Sequence, residues 1–257
     1  MQLFKNLYEY RELLKSNVKK EIRGKYKGSF LGVLWSFLNP LLQVLVYAIV
    51  FPYIMRVQTE NYLQYLITGM IPWIFFSVTL IQGTTSIRMN APIIKKVYFP
   101  REILPISVVL SGLVNFFISC IIVLIFCLLG GISISWYLLF LPLVSIIQFV
   151  LILGLTFILS AINIYVKDIE YIIQFIINML FYATPVLYQT TLFPENIRWI
   201  LYLNPMTELI DLYRNIFMYH QMPELSSLVY LLIVSLLIFS IGILTFRKLE
   251  KGFAEEV

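Results

Sequence analysis

Stretches without a single Asp, Glu, Lys or Arg run over residues 28–55, 61–87, 103–166, 171–194 and 225–246. A helix crossing a bilayer needs about 20 mostly apolar residues, so four of these runs hold one span each. The run 103–166 holds two, and Gly130-Gly131-Ile132-Ser133 supplies the turn between them. The pattern predicts six spans, at about 31–54, 62–86, 104–129, 137–165, 171–189 and 226–246. An even number puts both termini on one side.

Two segments outside these spans have their own periodicity. In 3–26 the apolar positions Leu3, Leu7, Tyr10, Leu14, Val18 and Ile22 fall three or four apart, with Lys5, Glu12, Lys15, Lys19 and Arg23 mostly off that stripe. That spacing predicts an amphipathic helix lying on the membrane surface; a bare basic anchor is the plainer alternative. The segment 185–224 is too apolar for an ordinary loop. Thr184-Pro185 breaks or ends the fifth span, and Asn204-Pro205 reads as an N-cap followed by proline at the first helical position. Leu209, Leu212, Tyr213, Ile216 and Phe217 give the following helix one apolar face. Short helices dipping back into the outer leaflet are expected here, as a lid over an exit or as an interfacial anchor.

Composition agrees. Of 257 residues, 60% are hydrophobic and 13% charged, with mean hydropathy +0.86, against about 25% charged in a soluble domain. The fold class expected is an all-α integral membrane protein forming a single transmembrane domain over 1–257. Charge then sets its orientation. Residues 1–27 carry eight Lys and Arg, 88–102 four, 167–170 one and 247–257 three, while the opposite connections hold Arg56, Arg198 and Arg214 alone. The positive-inside rule places both termini in the cytoplasm, and a first span that follows a long charged segment is not a cleaved signal peptide. A pI near 9.1 reflects this asymmetry and implies no nucleic-acid partner.

The chemistry missing from the spans narrows the function classes. No ionisable side chain lies well inside any span, whereas proton-coupled carriers usually place such groups at depth. The lone His220 lies in the outer segment, and no H-E-x-x-H, G-x-S-x-G or G-x-x-x-x-G-K-[ST] motif occurs. No catalytic residue, metal site or cofactor site is expected, so any uphill transport draws its energy from a partner. Cys120 and Cys127 stand about 10 Å apart on one helix, too far for a disulfide, and read as core residues.

The spans carry uncharged polar and aromatic stripes instead. Gly32, Ser36, Asn39, Gln43 and Tyr47 share one face of the first span; Tyr171, Gln174, Asn178, Tyr182 and Pro185 share one face of the fifth. Such stripes line either another helix or a wet path, and amides with aromatic faces suit a neutral glycan. Ser107, Ser111, Asn115 and Ser119 in the third span read mainly as helix packing. Gly24, Gly28 and Gly32 permit close approach or a sharp bend where the surface helix enters the membrane.

Arg23-Gly24-Lys25-Tyr26-Lys27-Gly28-Ser29-Phe30-Leu31-Gly32-Val33-Leu34-Trp35, followed by Asn39-Pro40-Leu41, resembles the opening motif of type-2 ATP-binding-cassette permeases that export lipid-linked polysaccharides such as O-antigen, capsule and teichoic acid. Lys25 stands where the family usually has Arg. Gly69-Met70-Ile71-Pro72-Trp73, Lys95 to Glu102, Asn163 to Ile169, Pro185-Val186-Leu187-Tyr188 and Asn204-Pro205-Met206 extend the resemblance in order over nearly the whole chain. Each piece is weak alone; together they are specific.

The resemblance implies a homodimer in a bacterial or archaeal cytoplasmic membrane, paired with two copies of a nucleotide-binding ATPase subunit that uses ATP and Mg. The chain itself then needs no cofactor and is not an enzyme. Its partners are membrane lipid, a lipid-linked glycan, the ATPase and a second copy of itself. Loop 88–102 becomes a coupling surface, with Arg88, Lys95, Lys96, Arg101 and Glu102 as candidates, joined by Lys167 and Asp168; plain positive-inside charge, or capping by Asp168, is the alternative. The family's channel runs between the first and fifth spans of two protomers. That makes Trp35, Asn39, Gln43 and Tyr47, with Gln174, Asn178 and Tyr182, the substrate path, and Pro185 and Tyr188 the gate. The rival functions are a permease for a drug or another lipid, and a non-transporting assembly scaffold.

Overall fold

The structure, a computed structural model, describes residues 2–24, 30, 34–55 and 61–256. All regular structure among them is helical. The N-terminal stripe forms two helices, α1 (Gln2–Glu9) and α2 (Arg11–Gly24), separated by a turn at Tyr10 instead of the single helix expected. Leu3, Leu7, Tyr10 and Leu14 pack against the core, with Lys5, Glu12, Lys15 and Lys19 exposed. Of the glycine series, Gly28 and Gly32 lie outside the described residues, as does Arg56.

The bundle follows as α3 (Trp35–Met55), α4 (Tyr62–Met89), a short α5 (Ala91–Ile94), α6 (Ile103–Leu129), α7 (Leu141–Tyr165, led in by a 3₁₀ turn at Trp136–Phe140) and α8 (Ile169–Ala183). Next come α9 (Glu195–Arg198), α10 (Pro205–Arg214), α11 (Leu225–Leu249) and α12 (Phe253–Glu256). Among the described residues, four helices are long and apolar enough to cross a membrane: α4, α6, α7 with its lead-in, and α11. Shorter apolar stretches lie in α3, over Leu38–Val50, and in α8.

α4 is the central helix. It packs against α3, α6, α7, α8 and α10 and buries residues on all sides, including Pro72, whose ring would break a solvent-exposed helix. A polar bridge ties three helices together there: Gln148 Nε2 donates to the Pro72 carbonyl at 2.9 Å, and the Tyr213 hydroxyl donates to Gln148 Oε1 at 2.8 Å. α11 docks on α7 alone over most of its length and leaves Leu232, Ile233, Leu236, Leu237, Ile241 and Leu244 exposed, the surface expected of a helix facing lipid. The α7–α11 contact depends on Gly154 and Gly242. A Cβ on Gly242 would land on the Gly154 carbonyl, and one on Gly154 would stand 2.6 Å from the backbone of Phe239. Such small residues let helix backbones approach closely in lipid.

Both termini meet at one end of the bundle. Asn6 donates to Glu102 at 2.9 Å, and the Tyr165 hydroxyl donates to the Leu249 carbonyl at 2.8 Å. The connections 130–136 and 184–224 occupy the other end, where Gln64 donates to the Phe126 carbonyl. Of the polar positions in α6, Ser107 and Ser111 are buried and hydrogen-bond carbonyls three residues back in their own helix, whereas Asn115 and Ser119 border a cavity. Cys120 and Cys127 are buried and unpaired.

Candidate functional site

The two polar stripes lie on the outside of the chain. α8 buries Ile177 and Phe181 against α4 and leaves Gln174, Asn178 and Tyr182 exposed. α3 leaves Asn39 and Gln43 exposed, with Trp35 and Tyr47 half-buried. The helices flank α4 as neighbours: Tyr47 stacks on Phe181 with centroids 6.0 Å apart, and Trp73 of α4 closes on the same ring at 5.7 Å. Packing among the described residues therefore does not account for Gln43, Gln174 and Asn178. The α3 stripe also divides. Trp35 and Asn39 border a cavity of about 280 Å³ between α3, α4 and α6, with Gln82, Asn115 and Ser119. Gln43 lies beyond it.

At the end of α8, the Thr184 hydroxyl donates to the Leu180 carbonyl at 2.6 Å and the backbone becomes extended before Pro185, as the residue preceding proline favours. The span predicted to reach 189 thus ends at Ala183, because proline cannot continue the hydrogen-bond ladder. The turn that follows is held on every carbonyl. Arg214 Nη1 donates to Pro185 O and Nη2 to Val186 O, both at 2.9 Å. The Tyr62 hydroxyl donates to Leu187 O at 3.0 Å and the Tyr65 hydroxyl to Tyr188 O at 2.6 Å. The Arg214 guanidinium also lies 3.6 Å above the Tyr65 ring. Pro185 is buried, and half-buried Tyr188 donates to the Tyr182 carbonyl.

Arg214 is positioned by α10, whose start is the expected cap: Asn204 Oδ1 accepts from Met206 N at 3.0 Å. Leu209, Leu212, Tyr213, Ile216 and Phe217 are all buried, as their spacing requires. Arg214 is 2% exposed, although its sequence position marks it only as a charge on the outer side. Its one local signal is Asp211, three residues earlier and 3.5 Å away. Burial pushes the Asp211 carboxyl above the usual carboxylate range, partly offset by Arg214.

At the termini end, the coupling candidates separate into two groups. Lys95 and Lys96 follow α5 fully in the open, held up by buried Ile94 and Phe99, and Lys167 and Asp168 are exposed in the α7–α8 turn. Asp168 stands at the N-cap of α8 but gives its backbone carbonyl, not its side chain. Arg88, Arg101 and Glu102 are engaged internally instead. Arg88 pairs with Glu170 of α8 at 3.2 Å. Arg101 donates to the Glu250 carbonyl and lies over the Phe253 ring, and buried Glu102 accepts from Asn6. These three join the loop to α8, to the C-terminal tail and to α1.

No cluster of metal-ligating side chains occurs among the described residues. A family model described as ABC-2 type transporter matches residues 12–218. Over 259 aligned positions the chain is 38% identical to the O-antigen export system permease protein RfbA of Myxococcus xanthus, covering all of both chains. It is 35% identical to a protein of the same name from Klebsiella pneumoniae, across 95% of this chain and 94% of that one.

Proposed function

The chain belongs to the ABC-2 type transporter family, and we propose that it is the membrane subunit of an ATP-driven exporter of polyprenyl-linked polysaccharide. Full-length similarity to O-antigen export permeases carries this reading. In it, α3 and α8 complete a set of six spans, and the termini lie in the cytoplasm on the strength of the Lys and Arg asymmetry. A separate ATPase subunit, in two copies, supplies ATP and Mg chemistry.

The outward stripes support a homodimer. Amides facing hydrocarbon are costly, so Asn39, Gln43, Gln174 and Asn178 call for a second copy that encloses them around water. With Trp35, Tyr47 and Tyr182 they would then line a route free of fixed charge, which a long polymer crosses without being trapped. Pro185 and Tyr188 close its outer end, on a turn held by Arg214. Lys95, Lys96, Lys167 and Asp168 meet the ATPase. Arg88, Arg101 and Glu102 pass its movement to α8, the tail and α1.

Gentle purification from native membranes tests the class: a stoichiometric ATPase subunit with ATP hydrolysis is expected, and a chain that emerges alone and inert overturns the reading. Lys95→Glu with Lys96→Glu will uncouple export by at least tenfold while the chain stays folded, since both side chains are exposed. Normal export by a stably expressed double variant removes the coupling role. Gln43→Cys and Asn178→Cys will react with a water-soluble maleimide in membranes, while buried Cys120 and Cys127 give little background; inert thiols at both positions would place the stripes against lipid or helix instead.

A further inference from the structure

Beside the gate turn lies a cavity of about 470 Å³ that shares Arg214 and Tyr65 with the clamp on that turn. That volume falls within the ~300–1,000 Å³ of small-molecule sites. It belongs to a single chain, away from the α3 and α8 stripes, at the end of the bundle opposite the termini.

Its walls combine three kinds of group. Carboxylates come from Glu208 and Asp211 of α10 and from Glu224 before α11. Arg214 is the one cation among the described residues that line it, and both its Nη atoms are committed to carbonyls. Its Nε is buried without a hydrogen-bond partner. Uncharged donors and acceptors come from Gln189, Thr190, Asn215 and Ser227. Tyr219, 47% exposed, stands at the rim. One carboxylate is already ordered, since the Tyr202 hydroxyl donates to Asp211 Oδ2 at 3.2 Å, and Glu208 shares the wall with Ser227.

Acceptor-rich walls with amides and an exposed aromatic edge match a ring bearing several hydroxyls. Carboxylates accept from vicinal hydroxyls, amides bond in both directions, and a Tyr face covers the apolar side of a sugar. A phosphate or uronate would meet three carboxylates against a single guanidinium whose two Nη atoms already serve carbonyls.

We propose that this cavity is a saccharide subsite that takes one or two uncharged or amino-sugar units of the emerging polymer and excludes anionic ones. The inference rests on the export reading and narrows it, since it removes polyanionic glycans such as teichoic acid from the substrate class. In that reading the subsite lies on the outer face beside the gate turn, where it would hold units that have passed and oppose backsliding.

Saturation-transfer NMR on the full-length protein in lipid nanodiscs tests it. The probes are the repeat oligosaccharide released from the host's own lipid-linked polymer, digalacturonate and glycerol phosphate. Transfer to the host oligosaccharide is expected, falling at least fivefold in Asn215→Ala and in Tyr219→Ala, with none to the two anions. Neither variant removes a buried partner, and unchanged thermal unfolding confirms that each is folded. No transfer to the host oligosaccharide, equal transfer in both variants, or preferred transfer to an anion overturns the subsite. ATPase co-purification reads the export function separately: an intact exporter that fails here loses only the subsite, whereas a missing ATPase removes the reading beneath it.

Discussion

Arg214→Leu will loosen the Pro185–Tyr188 turn and abolish most export, with hydrogen exchange at the Val186 and Leu187 amides rising by about two orders of magnitude. The substitution keeps apolar bulk but strips the carbonyls of Pro185 and Val186 of their donors. It also leaves the partly buried Asp211 without its cation. Each buried acceptor left unsatisfied costs about 1–3 kcal/mol, and the lost pair adds less than the ~3–5 kcal/mol of a fully buried one, since water reaches Asp211. Arg214→Lys separates charge from shape. It restores the partner of Asp211, but a single ammonium cannot serve two adjacent carbonyls as the planar fork does, so an intermediate phenotype is expected. Gly69→Ala provides an independent route, because its Cβ would stand 2.7 Å from Arg214 Nη2 and push the guanidinium off its carbonyls. A folded Arg214→Leu protein with unchanged exchange at 186–187 would show that Tyr62 and Tyr65 hold the turn alone.

The role of Arg214 marks where sequence reasoning stops. Hydrophobic period and turn chemistry locate α4, α6, α7 and α11 within a few residues, and Asn204-Pro205 predicts a cap that the structure forms as expected. These features are local: they depend on neighbours three or four residues away. What Arg214 touches is 28 and 29 residues distant, and no local pattern encodes that pairing. Glu102 fails for the same reason, since the loop charge that reads as exposed is buried by Asn6, 96 residues earlier. The stripes are an intermediate case. Period alone puts Gln174, Asn178 and Tyr182 on one face of α8, but which face meets α4 follows from Ile177 and Phe181, and the surrounding residues are too uniformly apolar to reveal it.

Gly242→Leu will be the most damaging single change among the spans, lowering the apparent Tm in detergent by about 6–12 °C, the shift that ~3 kcal/mol produces in a chain of this size. Overpacking a core usually costs about 1–3 kcal/mol because side chains and backbone yield together. Here the obstructing atoms are the carbonyl and Cα of Gly154, which cannot rotate away, so the helices themselves must part. In lipid, helix association depends on van der Waals contact and has little hydrophobic drive, and α11 has almost no other partner along its length. The damage then travels to the termini end. Leu249 accepts from Tyr165 and Glu250 from Arg101, so an α11 that stands off α7 pulls the tail away from loop 88–102. Export should therefore fall more steeply than stability, and ATP hydrolysis should continue without it. Gly24→Ala is the matched control: a Cβ there meets nothing within 4 Å among the described residues, and alanine suits a helix better than glycine. A Gly242→Leu protein with unaltered Tm and export would mean that α7 and α11 do not approach at these glycines.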